Sequence, residues 1–135
     1  MKRVFVDSNV FLRFLTRDEE GQHASAARLF REAARGKVGL VTGPPVFFEV
    51  AWTLRTAYGA SRESVLQALL AALSLPALEV VDATLVHEAI ARARRDNQEF
   101  ADAYIAALAA AQGCDSIATF NRKHFSSSPL PLYDL

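Results

Sequence analysis

The chain holds a single cysteine, Cys114, among its 135 residues. One thiol excludes an internal disulfide framework and a cysteine-rich zinc site. The three histidines, His23, His87 and His124, share no metal-ligand spacing, so zinc is not expected. Net charge is also missing: 15 Lys and Arg balance 15 Asp and Glu. Bulk electrostatic steering of a polyanion is therefore weak, although a local basic patch stays compatible with a neutral chain. Long apolar runs are absent. The longest, Ala103 to Ala111, falls far short of the ~20 residues of a membrane span. The opening Met1-Lys2-Arg3-Val4-Phe5-Val6-Asp7 has a basic pair but meets an acid too soon for a secretory signal. The expectation is a cytoplasmic protein with no membrane partner. No nucleophile elbow, P-loop or Gly-rich dinucleotide fingerprint occurs. No repeat, low-complexity tract or linker interrupts the chain. Ser126-Ser127-Ser128-Pro129 reads as a loop near the end.

What is present is an ordinary globular composition, 51% hydrophobic and 22% charged. Such a chain is too apolar for intrinsic disorder. Its length fits one domain, residues 1–135, able to bury roughly two-thirds of its unfolded surface. Val4-Phe5-Val6 reads as a short buried strand ending at Asp7, with Val38 to Val41 and Leu78 to Val81 as further strands. Ile117-Ala118 is expected as a fourth strand and Leu130 to Tyr133 as a short fifth. Helices are expected between them. Pro44-Pro45 opens one that runs to about Tyr58, Ser61 caps the next, and an alanine-rich helix spans about Ala101 to Gln112. Strands alternating with helices predict an α/β fold, a parallel sheet of four or five strands between helical layers. Ligands of such sheets sit outside the carboxyl ends of the strands.

Three carboxylates stand near that edge. Asp7 ends the first strand. Glu49 lies early in the helix opened by Pro44-Pro45, among Phe47, Phe48, Val50, Ala51 and Trp52. Asp102 lies in the first turn of the alanine-rich helix. Taken singly, each has an ordinary reading: Asp7 as a cap for a helix starting near Ser8 or Asn9, Glu49 as a solvated helix residue, Asp102 as a first-turn acid. Taken together they are a candidate site. Clustered carboxylates repel one another, a divalent cation relieves the repulsion, and all-oxygen donors suit Mg²⁺ or Mn²⁺.

These residues resemble the PIN-domain family, and within it the VapC-type toxin ribonucleases of toxin–antitoxin pairs. The likeness rests on Val4-Phe5-Val6-Asp7-Ser8-Asn9-Val10-Phe11 and Glu49. It continues in Phe100-Ala101-Asp102-Ala103-Tyr104-Ile105-Ala106 and in Ala118-Thr119-Phe120-Asn121-Arg122-Lys123-His124-Phe125. The order and spacing of these segments cover nearly the whole chain. The resemblance implies a three-layer α/β/α sandwich and a Mg²⁺- or Mn²⁺-dependent endoribonuclease. It also implies a protein that is usually a homodimer and is neutralised by a VapB-like antitoxin. Asp7, Glu49 and Asp102 match the family's first three acids. Asn121 stands where many members carry a fourth; its amide oxygen can coordinate but brings no charge.

On this reading Asp7 and Asp102 hold the metal, and Glu49 orients a water or helps to deprotonate the nucleophile. Asn121 and Thr119 position water or phosphate oxygens. Arg13, Arg17, Arg55, Arg122 and Lys123 are candidates for RNA phosphate contacts. Arg92, Arg94 and Arg95 read as a solvated helix face. Trp52, Phe47 and Phe48 read either as core or as a groove for antitoxin or dimer. Tyr104, His87 and Cys114 are taken as structural. Two rivals remain at this point. One is a PIN-like module that binds RNA or a partner with weak catalysis or none, which Asn121 favours. The other is a haloacid-dehalogenase-type phosphatase, which also has an aspartate after strand one but wants a second acid where this chain has Asn9.

Overall fold

The helices begin where the sequence supplies start signals. Pro44 takes the first helical position, where its missing N–H has no intrahelical partner to lose. The Ser61 hydroxyl accepts the Ser64 N–H at 3.1 Å, and Glu19 accepts the N–H groups of Gly21 and Gln22, each at 3.0 Å. In the computed structural model, which describes all 135 residues from Met1 to Leu135, the order is β1 (Arg3–Phe5), α1 (Ser8–Thr16), α2 (Glu20–Ala34), β2 (Gly39–Thr42), α3 (Pro44–Thr56), α4 (Arg62–Leu73), β3 (Leu78–Val80), α5 (Ala83–Asp96), α6 (Phe100–Ala111) and a 3₁₀ turn (Arg122–Phe125). Beyond α2, Gly36 sits at φ +78°, a left-handed conformation that costs glycine nothing.

By packing, the chain divides into two compact units, Met1–Ala83 and Thr84–Leu135. The first contains a parallel sheet in the order β1-β2-β3, flanked by helices. Arg3 pairs with Gly39, Phe5 with Val41, and Leu40 with Leu78. The ladder runs past the formal strand ends: Val6 N–H donates to Val41 at 2.8 Å and Val81 N–H to Thr42 at 2.9 Å. Strand alternation puts Val6, Leu40 and Thr42 on a buried face. Phe5 (62% exposed) and Val81 (50%) lie on the other, where Arg3 and Glu79 form an exposed ion pair. Helices α1, α2 and α3 meet through a cluster of rings. Phe11 lies 5.8 Å from Phe30 and 6.3 Å from Phe47, and Phe14 lies 4.8 Å from Phe30 edge-on.

In the second unit α5 buries Val86, Ala89, Ile90 and Ala93, one stripe at helical spacing. Helix α6 buries Phe100, Ala103, Tyr104, Ala106 and Ala107, so Tyr104 is a packing residue as expected. A small apolar cluster joins Ala106 to Ile117 and Phe125. The sheet has three strands, not the four or five expected. Ile117 and Leu132 form only an isolated parallel bridge. Two apolar residues, Ile117-Ala118, are too few to carry a ladder before the Thr119–Asn121 turn takes over. Cys114, His87 and Trp52 are exposed, Trp52 at 70%.

Candidate active site

Asp7 directly follows the last ladder bond of the first strand, at the carboxyl edge of the sheet, as its apolar approach predicts. The Thr42 hydroxyl, fully buried, donates to the Val6 carbonyl at 3.0 Å and holds that strand end in place. Asp7 occupies the N-cap position of α1, yet its side chain makes no capping hydrogen bond. The ordinary explanation of this acid, a helix cap, is therefore not met. Its carboxylate is exposed, with no ion pair or hydrogen bond.

Glu49 stands in the second turn of α3, which starts immediately after β2, so it too belongs to the carboxyl edge. Despite its apolar neighbours in sequence, Glu49 is exposed. Val46, Phe47, Val50, Ala51 and Leu54 take the core-facing stripe of α3. Glu49 and Trp52 fall on the remaining face. What fixes Glu49 is Ser8, the residue after Asp7. The Ser8 side chain is fully buried, and its hydroxyl donates to one Glu49 carboxylate oxygen across 41 residues of sequence. A buried hydroxyl aimed at a carboxylate makes a charge-assisted bond, stronger than a neutral one. The structure thus brings Glu49 to the residue adjoining Asp7.

Asp102 and Asn121 lie in the second unit. Asp102 is in the first turn of α6, and one of its carboxylate oxygens is 3.2 Å from His124 Nδ1. Asn121 is exposed on a short turn: its N–H donates to the Thr119 hydroxyl at 2.9 Å, and its carbonyl accepts from His124 N–H at 3.1 Å. Thr119 therefore holds the backbone that carries Asn121. Within neither unit do three His, Cys, Asp or Glu side chains gather closely enough to hold a metal ion by themselves. The acids divide as Asp7 with Glu49 in one unit and Asp102 in the other.

The PIN domain model matches residues 4–127 of this sequence, a span that includes Asp7, Glu49, Asp102 and Asn121. The chain belongs to the PIN domain family. Among solved structures, this PIN domain is similar to VapC20 of Mycobacterium tuberculosis, a sarcin-ricin loop cleaving toxin. Identity is 22%, coverage is 93% of this chain and 95% of the other, and the TM-score is 0.42. It is also similar to VapBC2 from Rickettsia felis bound to a promoter DNA fragment, at 16% identity, 100% and 99% coverage, and a TM-score of 0.39. No curated protein sequence matches it.

Two features of this PIN domain escape a reading of the sequence. One is Ser8 as the holder of Glu49. The motif Asp7-Ser8-Asn9 signals that something is built there, but the partner lies on another helix. The other is a network around Asp18. Its carboxylate accepts the Tyr58 hydroxyl at 2.6 Å, the Thr16 hydroxyl at 2.9 Å and the Arg13 guanidinium at 3.0 Å. It ties the α1–α2 turn to the end of α3. The Tyr58 hydrogen bond, followed by that of Thr16, holds the Asp18 carboxyl below the usual aspartate value, with a smaller contribution from Arg13.

A depressed folded-state pKa stabilises the fold above the unfolded value and is lost as pH falls through the folded one. The wild type is therefore expected to lose stability relative to Asp18→Asn only as pH drops below 3.8, the ordinary aspartate value. Melting temperatures of both proteins between pH 7 and pH 2 test this. A constant difference over that range would remove Asp18 from the acid response.

The same network settles part of the basic inventory. Arg13 is committed to Asp18 and to Gln22, and Arg55 donates to the Ala60 carbonyl at 2.9 Å. Arg17, Arg122 and Lys123 are exposed. His124, not singled out as a site residue by its spacing, is the ring in contact with Asp102.

No helix is long and apolar enough to cross a membrane.

Proposed function

We propose that this PIN-domain protein is a divalent-metal-dependent endoribonuclease of the VapC toxin type, neutralised by a VapB-like antitoxin and active as a homodimer. The observation that carries the reading is the pairing of Ser8 with Glu49, one residue along the chain from the unpartnered Asp7 carboxylate. The Ser8 hydroxyl fixes Glu49 at the residue that follows Asp7 in the chain, and carboxylates gathered at one sheet edge repel one another unless a cation offsets their charge. The donors are carboxylate oxygens, with no thiol and no paired imidazoles, a set that fits Mg²⁺ or Mn²⁺. Metal-ligand roles are assigned to Asp7 and Asp102. A divalent ion held by such carboxylates would polarise a phosphodiester and lower the pKa of a water.

The remaining roles fall to the chain itself. Glu49 has one oxygen engaged by Ser8, which leaves the other to orient the attacking water and accept its proton. Asn121, on the turn held by Thr119, offers amide hydrogen-bonding groups to a phosphate oxygen. Attack by water at phosphorus leaves a 5′-phosphate and a 3′-hydroxyl and does not use the ribose 2′-OH as nucleophile. Preference for RNA then comes from shape and from contacts to the 2′-OH.

The test is incubation of the purified protein with total cellular RNA and Mn²⁺ or Mg²⁺, followed by mapping of new 5′ ends. Discrete new ends bearing a 5′-phosphate, abolished by EDTA, are expected. A folded protein that cuts nothing over both metals would overturn the nuclease reading. RNA bound but uncut would shift it to a binding module.

A further inference from the structure

Between helices α1 and α2 lies an open pocket of about 460 Å³ that no part of the reaction above uses. That size lies within the ~300–1,000 Å³ of small-ligand sites. Its polar lining is Asn9, Arg13, Gln22 and Ser25, and its apolar floor is Val10, Ala26 and Leu29. No carboxylate lines it. The arrangement of the polar groups is fixed in advance. Arg13 Nε donates to the Gln22 side-chain Oε1 at 2.7 Å, and Arg13 Nη1 donates to Asp18 at 3.0 Å. Two bonds at separate nitrogens lock the guanidinium plane. With its oxygen taken, the Gln22 amide presents its NH₂ as a donor. The Ser25 hydroxyl donates to the Gly21 carbonyl at 3.2 Å, which leaves its lone pairs as acceptors.

The cavity also starts close to the proposed chemistry. Asn9 follows Asp7 by two residues, about 3 Å along a helix axis. Arg13 lies one turn further on the same face.

We infer that this cavity is a base-recognition pocket, which takes the unstacked base of the nucleotide next to the cleaved phosphate. The inference rests on the ribonuclease reading and deepens it. Single-stranded RNA is read by splaying a base out, stacking it on an aromatic ring or an arginine plane, and bonding its edge. A locked Arg13 plane supplies the stack. Gln22, Asn9 and Ser25 supply donors and acceptors for an edge. A docked protein helix would ask for a continuous apolar groove; here Asn9, Arg13, Gln22 and Ser25 interrupt the apolar lining. Gln22 is thus a specificity-determining residue, exposed on α2 and outside the machinery assigned to catalysis.

The experiment is cleavage of a randomised single-stranded RNA library by the wild type and by Gln22→Leu, with sequencing of the new 5′ ends. A wild-type preference for particular bases at one position is expected. In Gln22→Leu that preference should fall by about tenfold, through slower cleavage at the preferred base and not at the others, with the melting temperature unchanged. Ser25→Ala should alter the same position and no other.

An unchanged base profile in Gln22→Leu overturns the pocket while leaving the nuclease reading intact, and hands the cavity to a protein segment such as an antitoxin tail. Cleavage by the wild type with no base preference also overturns it. A wild type that cuts no RNA removes both readings together.

Discussion

Asp7→Ala is expected to lower RNA cleavage by about 10³-fold or more, roughly 4 kcal/mol of barrier, with a melting temperature within about 2 °C of the wild type. The two halves of that expectation have separate causes. The activity loss follows from removing a carboxylate that the proposed chemistry needs and nothing nearby replaces. The preserved stability follows from what Asp7 does not do. An N-cap aspartate that accepts a backbone N–H contributes about 1 kcal/mol, but the Asp7 side chain accepts none. Asp102→Ala should give the same loss of cleavage, measured on the same mapped RNA site.

Ser8→Ala belongs to the same experiment. Loss of a positioning hydroxyl costs about 10–100-fold in metal affinity or activity. It should show as a higher Mg²⁺ concentration for half-maximal cleavage. Cleavage by Asp7→Ala at the wild-type rate would remove this acid from the reaction. An unshifted Mg²⁺ dependence in Ser8→Ala would reduce the Ser8–Glu49 contact to a structural one.

The acids themselves were legible in the sequence because strand ends and helix starts are local signals. Val4-Phe5-Val6 followed by Asp7 and the Pro44-Pro45 start of α3 each rest on a few adjacent residues. The structure keeps β1, β2 and β3 within a residue or two of the expected limits. What the sequence hid is long-range. The Ser8–Glu49 bond spans 41 residues and the Tyr58–Asp18 bond spans 40. No periodicity reports which hydroxyl meets which carboxylate. The exposure of Glu49 follows from helical spacing. Counting α3 at helical spacing gives the core face to Val46, Phe47, Val50, Ala51 and Leu54, and leaves Glu49 outside. The missing fourth and fifth strands have another cause. A short apolar run marks a segment as extended but does not supply a partner, and only the Ile117–Leu132 bridge forms.

The aromatic cluster makes the largest stability claim. Phe11 is 1% exposed, and its ring packs against Phe30 of α2 and Phe47 of α3. Phe11→Ala should cost about 3–5 kcal/mol, because the lost transfer free energy is joined by the cavity left behind. Against a total of ~5–15 kcal/mol that is a large share. It corresponds to a fall in melting temperature of about 10–20 °C for a chain of this size.

The consequence extends to the proposed site. Phe11 stands one turn after Ser8 on α1, and Phe47 stands two residues before Glu49 on α3. The ring pair therefore clamps the same two helices that the Ser8–Glu49 bond joins. Phe11→Leu, which leaves a smaller cavity than Phe11→Ala and so costs less, keeps the protein folded while loosening that clamp. Its cleavage should fall by more than its stability alone explains at a temperature well below the melting point, and its Mg²⁺ requirement should rise in the same direction as that of Ser8→Ala. A Phe11→Ala melting shift below about 3 °C would show the cluster to be less tightly packed than the ring distances imply. A Phe11→Leu protein with unaltered Mg²⁺ dependence would separate the packing of α1 against α3 from the placement of Glu49.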